Sequence, residues 1–510
     1  MLLLKNITIT TPKGRVLLND CSFSLNPTDK LAIIGEEGNG KSILCKLIVG
    51  EKPLPQDFIV TGSITRTDET VGYLPQALPH ECENVAMSRF LLADDAGIID
   101  YNQLQELIPI FIELGLVLTP DDYERTMNTF SGGERIKIQL AKIMAKKPTS
   151  FVLDEPTNDL DIKTLKWFET FLLNSSIPCI FVSHDTALLE NVSNRVLHLQ
   201  QTERKKVPVW VLESLNYKDY INKRQADLER QESLSVKQKQ NYDKQMDKWR
   251  QIYQKVEHRQ ETISRQDPHG GQLLKKKMRN LKAVKRRIDS TELLHKPDPE
   301  EAISLFFADQ QKVSAKRILL EDHCEALTIG DRTLSTELDI RISGNSRIGI
   351  FGDNGCGKST YLKYLKTKAV ENGRKVGMMP QKYEELLPND QSAVDWLINE
   401  PSKEYRTKVM NYLGNLKFTE EEMIQPMIAC SQGQKAKILL IHLVLGEYEM
   451  ILLDEPTRNL SPLTLPVIEE MLKNYSGALV CVSHDRCFLV DTCRDIYQMD
   501  PKGLEEKSPD

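Results

Sequence analysis

Two stretches of this chain have the makings of a phosphate cradle. Gly35-Glu36-Glu37-Gly38-Asn39-Gly40-Lys41-Ser42 and Gly352-Asp353-Asn354-Gly355-Cys356-Gly357-Lys358-Ser359 share one spacing, and Thr360 follows the second. Glycines let the backbone come close to a triphosphate, and the N–H groups of such a loop, with a helix N-terminus behind them, face several negative charges together. Lys41 and Lys358 are placed for the β- and γ-phosphates. Ser42 and Ser359, with Asp154 and Asp454 at the ends of apolar runs, are placed to hold Mg2+. Glu155 and Glu455 come next in the chain and can orient or deprotonate an attacking water. His184 and His484 each lie 30 residues beyond their aspartate, near the expected γ-phosphate.

These groups need elements to carry them. Each glycine-rich loop follows an apolar run (Leu31-Ala32-Ile33-Ile34; Ile348-Gly349-Ile350-Phe351) and precedes a helix-like stretch (Ile43–Ile48; Tyr361–Leu365). Strand, phosphate loop and helix in that order predict a buried parallel sheet flanked by helices, an α/β fold. The pattern occurs twice. Gly72-Tyr73-Leu74-Pro75-Gln76 pairs with Gly377-Met378-Met379-Pro380-Gln381, and Ser131-Gly132-Gly133-Glu134-Arg135 with Ser431-Gln432-Gly433-Gln434-Lys435. The strand motifs ending Asp154-Glu155 and Asp454-Glu455, and then Ser183-His184-Asp185 and Ser483-His484-Asp485, keep the same order. A duplicated domain follows.

Composition bounds the rest. At 510 residues the chain exceeds what one core serves, and 40% hydrophobic with 27% charged residues excludes global disorder. No apolar run reaches the roughly 18 residues of a membrane span, so a cytoplasmic chain is expected. Ten cysteines without paired spacing suggest neither zinc nor disulfides.

The net charge of −6 conceals a segregation. From Lys218 to Lys296 there are 21 Lys and Arg against 11 Asp and Glu. Within that segment Tyr242, Met246, Trp249, Tyr253, Val256 and Ile263 form one heptad-like stripe, and Leu274, Met278, Leu281 and Ile288 a second. Between them Gln266-Asp267-Pro268-His269-Gly270-Gly271 predicts a reversal, with helices over 219–265 and 272–294. The boundaries expected are one α/β domain over 1–217, a basic helical hairpin over 218–299 and a second α/β domain over 300–510. Arg265, Lys275, Lys276, Lys277, Arg279, Lys282, Lys285, Arg286 and Arg287 concentrate positive charge at the tip and return arm, as contact with structured RNA requires.

The paired motifs resemble those of the ATP-binding cassette superfamily across nearly the whole chain outside the middle segment. The resemblance implies ATP and Mg2+, with Gln76 and Gln381 joining the metal shell and catalysis, and composite sites in which each signature closes over the nucleotide of the other cassette. One would combine Lys41, Ser42, Gln76, Asp154, Glu155 and His184 with Ser431 and Gly433. The other would combine Lys358, Ser359, Gln381, Asp454, Glu455 and His484 with Ser131, Gly132 and Gly133. Gln432 stands where the family usually has glycine, and Arg458-Asn459-Leu460-Ser461 departs from Asn158-Asp159-Leu160-Asp161, so unequal sites are expected. Tandem cassettes with a charged helical linker resemble the F subfamily. That implies a monomer acting on the ribosome, its linker reaching 23S rRNA and tRNA near the exit site, without a transmembrane partner. It also implies a role in translation or in antibiotic-resistance ribosome protection. The alternative is the ATP-hydrolysing subunit of a transporter.

Overall fold

A computed structural model describes residues 2–50, 58–93, 103–157, 160–262, 268–290, 314–330, 332–398, 400 and 402–508. The chain divides into two units, Met1–Tyr217 with Glu301–Asp510, and Lys218–Glu300.

The first unit holds two six-stranded sheets of identical order. In one the strands run Val71–Leu74, Ser150–Asp154, Cys179–Val182, Lys30–Gly35, Arg195–Gln201 and Val207–Glu213. In the other they run Val376–Met379, Met450–Asp454, Ala478–Val482, Arg347–Phe351, Asp495–Asp500 and Gly503–Glu506. All neighbours are parallel except the last pair of each sheet. The central strands are buried on both faces, and this is why they read as unbroken apolar runs rather than as alternation. Parallel order brings the C-terminal ends of three adjacent strands to one edge: the glycine-rich loop, Asp154 and His184 in the first cassette, and the loop, Asp454 and His484 in the second. Crevices outside such strand ends are where open α/β sheets bind ligands.

An antiparallel layer covers one face of each sheet. In the first cassette Leu2–Thr10 lies between Val16–Leu25 and Ile59–Arg66. In the second, Ile318–Ile329 pairs with Arg332–Ser343 alone among the described residues. Leu4, Ile9 and Leu18 from the first layer pack with Leu31, Ile33 and Val152 of its sheet. Ile162 of the first cassette is buried within the apolar cluster of the second, so the cassettes share apolar as well as polar contacts.

The second unit is a helical hairpin. Its outgoing helix spans Tyr217–Thr262 and its return helix Pro268–Asp289. Residues 268–271 of the expected reversal Gln266–Gly271 are instead part of the return helix, and Gln266 and Asp267 lie outside the described residues. Pro268 opens the return helix, where its missing N–H has no bond to lose, and Gly270 and Gly271 continue it. The outer ends of the expected helices, 263–265 and 291–294, lie outside the described residues.

Candidate functional site

Each phosphate loop ends on a glycine in left-handed backbone, Gly40 at φ 87° and Gly357 at φ 105°, which a side chain rarely tolerates. That turn launches the helices Lys41–Val49 and Lys358–Glu371 with their N-termini under the loop. Lys41 Nζ donates to the Gly35 and Glu36 carbonyls at 2.7 and 3.2 Å; Lys358 Nζ donates to those of Gly352 and Asp353 at 2.9 Å each. Both ammonium groups thus lie inside their own loops. Asn39 turns its side chain away to donate to the Leu199 carbonyl at 3.0 Å, and Cys356 packs into the apolar core, so these two offer a nucleotide only backbone. Gly35, Gly38, Gly352, Gly355 and Thr360 sit in or beside the two loops.

The metal-holding residues also assemble. Ser42 Oγ donates to Asp154 Oδ1 at 3.0 Å. Burial pushes the Asp154 carboxyl up to about 6, the Ser42 hydrogen bond opposing. Asp454 is raised by burial against hydrogen bonds from Ser359 and the Gln381 backbone. Its Oδ1 is buried with no hydrogen-bond partner among the described residues. A hydroxyl beside a buried, under-satisfied carboxylate is a donor set that suits a hard divalent cation. Gln76 is exposed at the end of its strand, whereas Gln381 lines a cavity with Asn354, Glu455 and His484.

The two glutamates share a backbone oddity: Glu155 and Glu455 have φ of 50° and 51°, left-handed for a residue with a side chain. Their surroundings differ. His184 Nε2 lies 3.0 Å from Glu155 Oε1, and its Nδ1 lies 2.6 Å from the carbonyl of Leu460 in the other cassette. Burial works against charge on both groups, but each stabilises the other, so Glu155 is lowered and His184 raised. An imidazolium between a carboxylate and a carbonyl has a proton for each acceptor. In the second cassette His484 Nε2 is 3.6 Å from Glu455 Oε1 and Nδ1 is buried without a partner among the described residues. Burial, with Lys358 adding to it, presses His484 down to about 3. Burial lifts Glu455 to about 8.

The signatures begin helices. Ser131 caps Gly132–Ala145 and Ser431 caps Gln432–Leu445, each in a reciprocal capping box, with Glu134 and Gln434 respectively returning a bond to the serine N–H. The Ser-x-x-Glu pattern of the first was readable from sequence, and it gives Glu134 and Gln434 a structural task. Gly433 comes so close to the first phosphate loop that a Cβ there would lie 2.3 Å from Glu37 Cδ. The corresponding Gly133 instead packs on Thr164 of its own cassette, at 2.7 Å from a would-be Cβ. Lys417 Nζ meets Glu36 Oε1 at 2.5 Å, Lys205 meets Glu422 at 2.8 Å, and Arg486 pairs with Glu169, all across the two cassettes. No sequence signal announced these pairs, whose members lie hundreds of residues apart.

Within the hairpin, Trp249 Nε1 donates to the Leu281 carbonyl at 2.8 Å and the Tyr242 hydroxyl to Asp289 at 3.4 Å, fixing an antiparallel register. Val256, Leu281 and Ile288 are buried. Lys275, Lys276, Lys277, Arg279, Lys282, Lys285, Arg286 and Arg287 are all exposed, with Lys285 Nζ 5.3 Å from the Trp249 ring centre. Arg265 lies outside the described residues. No helix among those described is long and apolar enough to cross a membrane.

The family model described as ABC transporter matches residues 18–158 and 336–458. The putative ATP-binding protein YdiF of Bacillus subtilis (strain 168) is 28% identical, over 96% of this chain and 78% of its own. ABC transporter F family member 5 of Arabidopsis thaliana is 24% identical over 98% and 75%. Among solved structures, the complex of archaeal ribosomal stalk protein aP1 with archaeal ribosome recycling factor aABCE1 shares the fold at a TM-score of 0.61 and 16% identity, covering 98% of this chain and 90% of the other.

Proposed function

Because the chain belongs to the ATP-binding cassette family, in its F-type tandem-cassette branch, we propose that it is an ATPase that binds the ribosome through its basic hairpin and uses nucleotide state to control that association. The observation that carries this reading is the division of labour in the return helix. Leu281 and Ile288 are buried, while eight cations are exposed on the same helix together with Leu273 and Val284. Cations held on a rigid rod suit the backbone of structured RNA, with affinity that falls steeply as salt rises. The corresponding site residues on RNA would be Lys275, Lys276, Lys277, Arg279, Lys282, Lys285, Arg286 and Arg287, together with Arg265, which lies outside the described residues.

Hydrolysis is assigned to two composite sites. Lys41 and Lys358 leave their loop carbonyls for the phosphates, and the signature helix N-termini at Ser431 and Gly433, and at Ser131, Gly132 and Gly133, supply N–H groups to the nucleotide of the opposite cassette. Ser42 with Asp154, and Ser359 with Asp454, would hold Mg2+, which when bound neutralises charge on the β- and γ-phosphates. Gln76 and Gln381 lie alongside. Glu155 and Glu455 orient or deprotonate the attacking water, Glu155 being the one held ionised in the structure, and His184 and His484 face the γ-phosphate. ATP binding draws the cassettes together and so sets the posture of the hairpin; hydrolysis lets them part. On this reading the chain works as a monomer in the cytoplasm, either in translation or in protecting ribosomes from antibiotics. Drug-susceptibility testing with and without expression separates those two roles.

The test is a chain carrying Glu155→Gln and Glu455→Gln. It should retain ATP and cosediment with 70S ribosomes in an ATP-dependent manner. Finding it only in ribosome-free fractions overturns the proposal. Adding Lys275→Glu, Lys276→Glu and Lys277→Glu should release it and flatten its salt dependence by about one unit of slope for each phosphate that is no longer neutralised.

A further inference from the structure

The residues just after Gln381 form a short turn, Tyr383–Glu385, whose three side chains reach three different parts of the second cassette. Glu385 meets Lys363 Nζ at 2.9 Å, on the helix that starts at the second phosphate loop. The Tyr383 hydroxyl accepts from Asn459 Nδ2 at 3.1 Å, and the Asn459 carbonyl lies 2.7 Å from a would-be Cβ on Gly433. Glu384 Oε1 accepts from Gln432 Nε2 at 3.0 Å and from Lys435 Nζ at 2.8 Å, both in the signature helix. One end of this turn therefore holds the second nucleotide site, through Lys363 and through the Gln381 backbone on Asp454. The other end holds Gln432, Lys435 and Asn459, which flank Gly433, the glycine that lies against Glu37 in the first phosphate loop.

We propose that the Tyr383–Glu385 turn is a relay that couples nucleotide binding at the second site to nucleotide binding at the first, with Glu384 and Tyr383 as its positioning residues. The proposal rests on the composite-site reading above. It also accounts for Gln432, since a glycine at that position has no amide to give Glu384. Tyr383 is buried, and burial raises its phenol to about 12 against the Asn459 hydrogen bond and the Arg458 charge. Hydrogen bonds from Lys435 and Gln432 hold Glu384 down at about 2, so the clasp is ionised at any working pH. The first cassette lacks the parts. After Gln76 come Ala77, Leu78 and Pro79, none with a side-chain acceptor, and Gly132 replaces Gln432. Among the described residues one such relay is seen, and binding coupled through it is felt equally at both sites.

The experiment is a double-mutant cycle in the Glu155→Gln/Glu455→Gln chain. Photolabelling with 8-azido-ATP is assigned to either cassette by its tryptic peptides. Emptying the second site with Lys358→Ala should weaken labelling of the first cassette about fivefold or more, a typical coupling. With Glu384→Ala present that ratio should fall below about twofold, Gln432→Gly should give an intermediate value, and Glu384→Asp should preserve it. A ratio near one in the parent, or one that Glu384→Ala leaves unchanged, overturns the relay. Ser431→Arg separates the two ideas. It should abolish labelling of the first cassette in every background; loss confined to the second cassette would instead refute the composite sites on which the relay depends.

Discussion

The two hydrolytic corners have the same motif, the same offset from aspartate to histidine and the same left-handed glutamate, yet they hold different charge. His184 sits 3.0 Å from Glu155 and leans on a carbonyl of the other cassette; His484 is 3.6 Å from Glu455 with its second nitrogen unpartnered among the described residues. The difference does not come from the strands, which keep the same order in both sheets. It comes from the interface: one imidazole has an acceptor on each side and the other does not. A buried charge persists only where its hydrogen bonds are complete. Equal motifs therefore do not make equal sites: burial opposes charge at both glutamates, and the close His184 is what lowers Glu155 where Glu455 is raised.

The comparison can be broken first with the glutamates singly. Glu155→Gln should remove most steady-state phosphate release near pH 7, about 100-fold if the first site carries the flux, whereas Glu455→Gln should cost far less. Equal losses would mean that the corners work alike. Next, His184→Ala leaves Glu155 buried beside an empty space and should destabilise the chain by about 3 kcal/mol in chemical denaturation. His484→Ala, which breaks no short contact, should stay within about 1 kcal/mol. Lys417→Ala sharpens the contrast at the phosphate loops. Glu36 is lowered, despite burial, chiefly by Lys417 and Lys437, so removing the Lys417 ammonium should raise the KM for ATP at the first site about fivefold and leave the second unchanged.

The smallest effect is a pH dependence. Asp485 is buried and Asp185 half-buried, burial raises both, Asp485 to about 7, and Asp185 adds to the rise at Asp485. Because the folded chain holds this proton more tightly than the unfolded one, the stabilisation is complete below about pH 4 and is lost as pH rises toward 7. Asp485→Asn keeps an oxygen for the Phe488 N–H cap and removes the titration. It should melt about 2 °C higher than the parent at pH 8, with the gap closing near pH 4.

Much of this was legible beforehand because it is local. Apolar strand, glycine loop and helix are neighbours in sequence, so the two α/β domains and the order of Lys41, Ser42, Asp154 and His184 along the strand ends could be read off directly. The stripe from Tyr242 to Val256 likewise announced a helix needing a partner. What could not be read depends on folding distant segments together. Leu460 contributes a backbone carbonyl, which any residue has. Lys417 and Glu36 lie 381 positions apart. Gln432 looked like a defect in a signature until Glu384 appeared beside it. The helical start at Pro268 escaped because proline is a breaker in the middle of a helix and harmless at its beginning.

The left-handed backbone at Glu155 and Glu455 carries a consequence for how this chain can change. A residue with a Cβ in that conformation costs on the order of 1 kcal/mol relative to glycine. Glycine at either position would relax the turn and yield a hardier but catalytically silent protein. Any laboratory selection for heat resistance alone should therefore drift toward a pseudoenzyme at these two positions, and a screen that also demands turnover is needed to keep the acids in place.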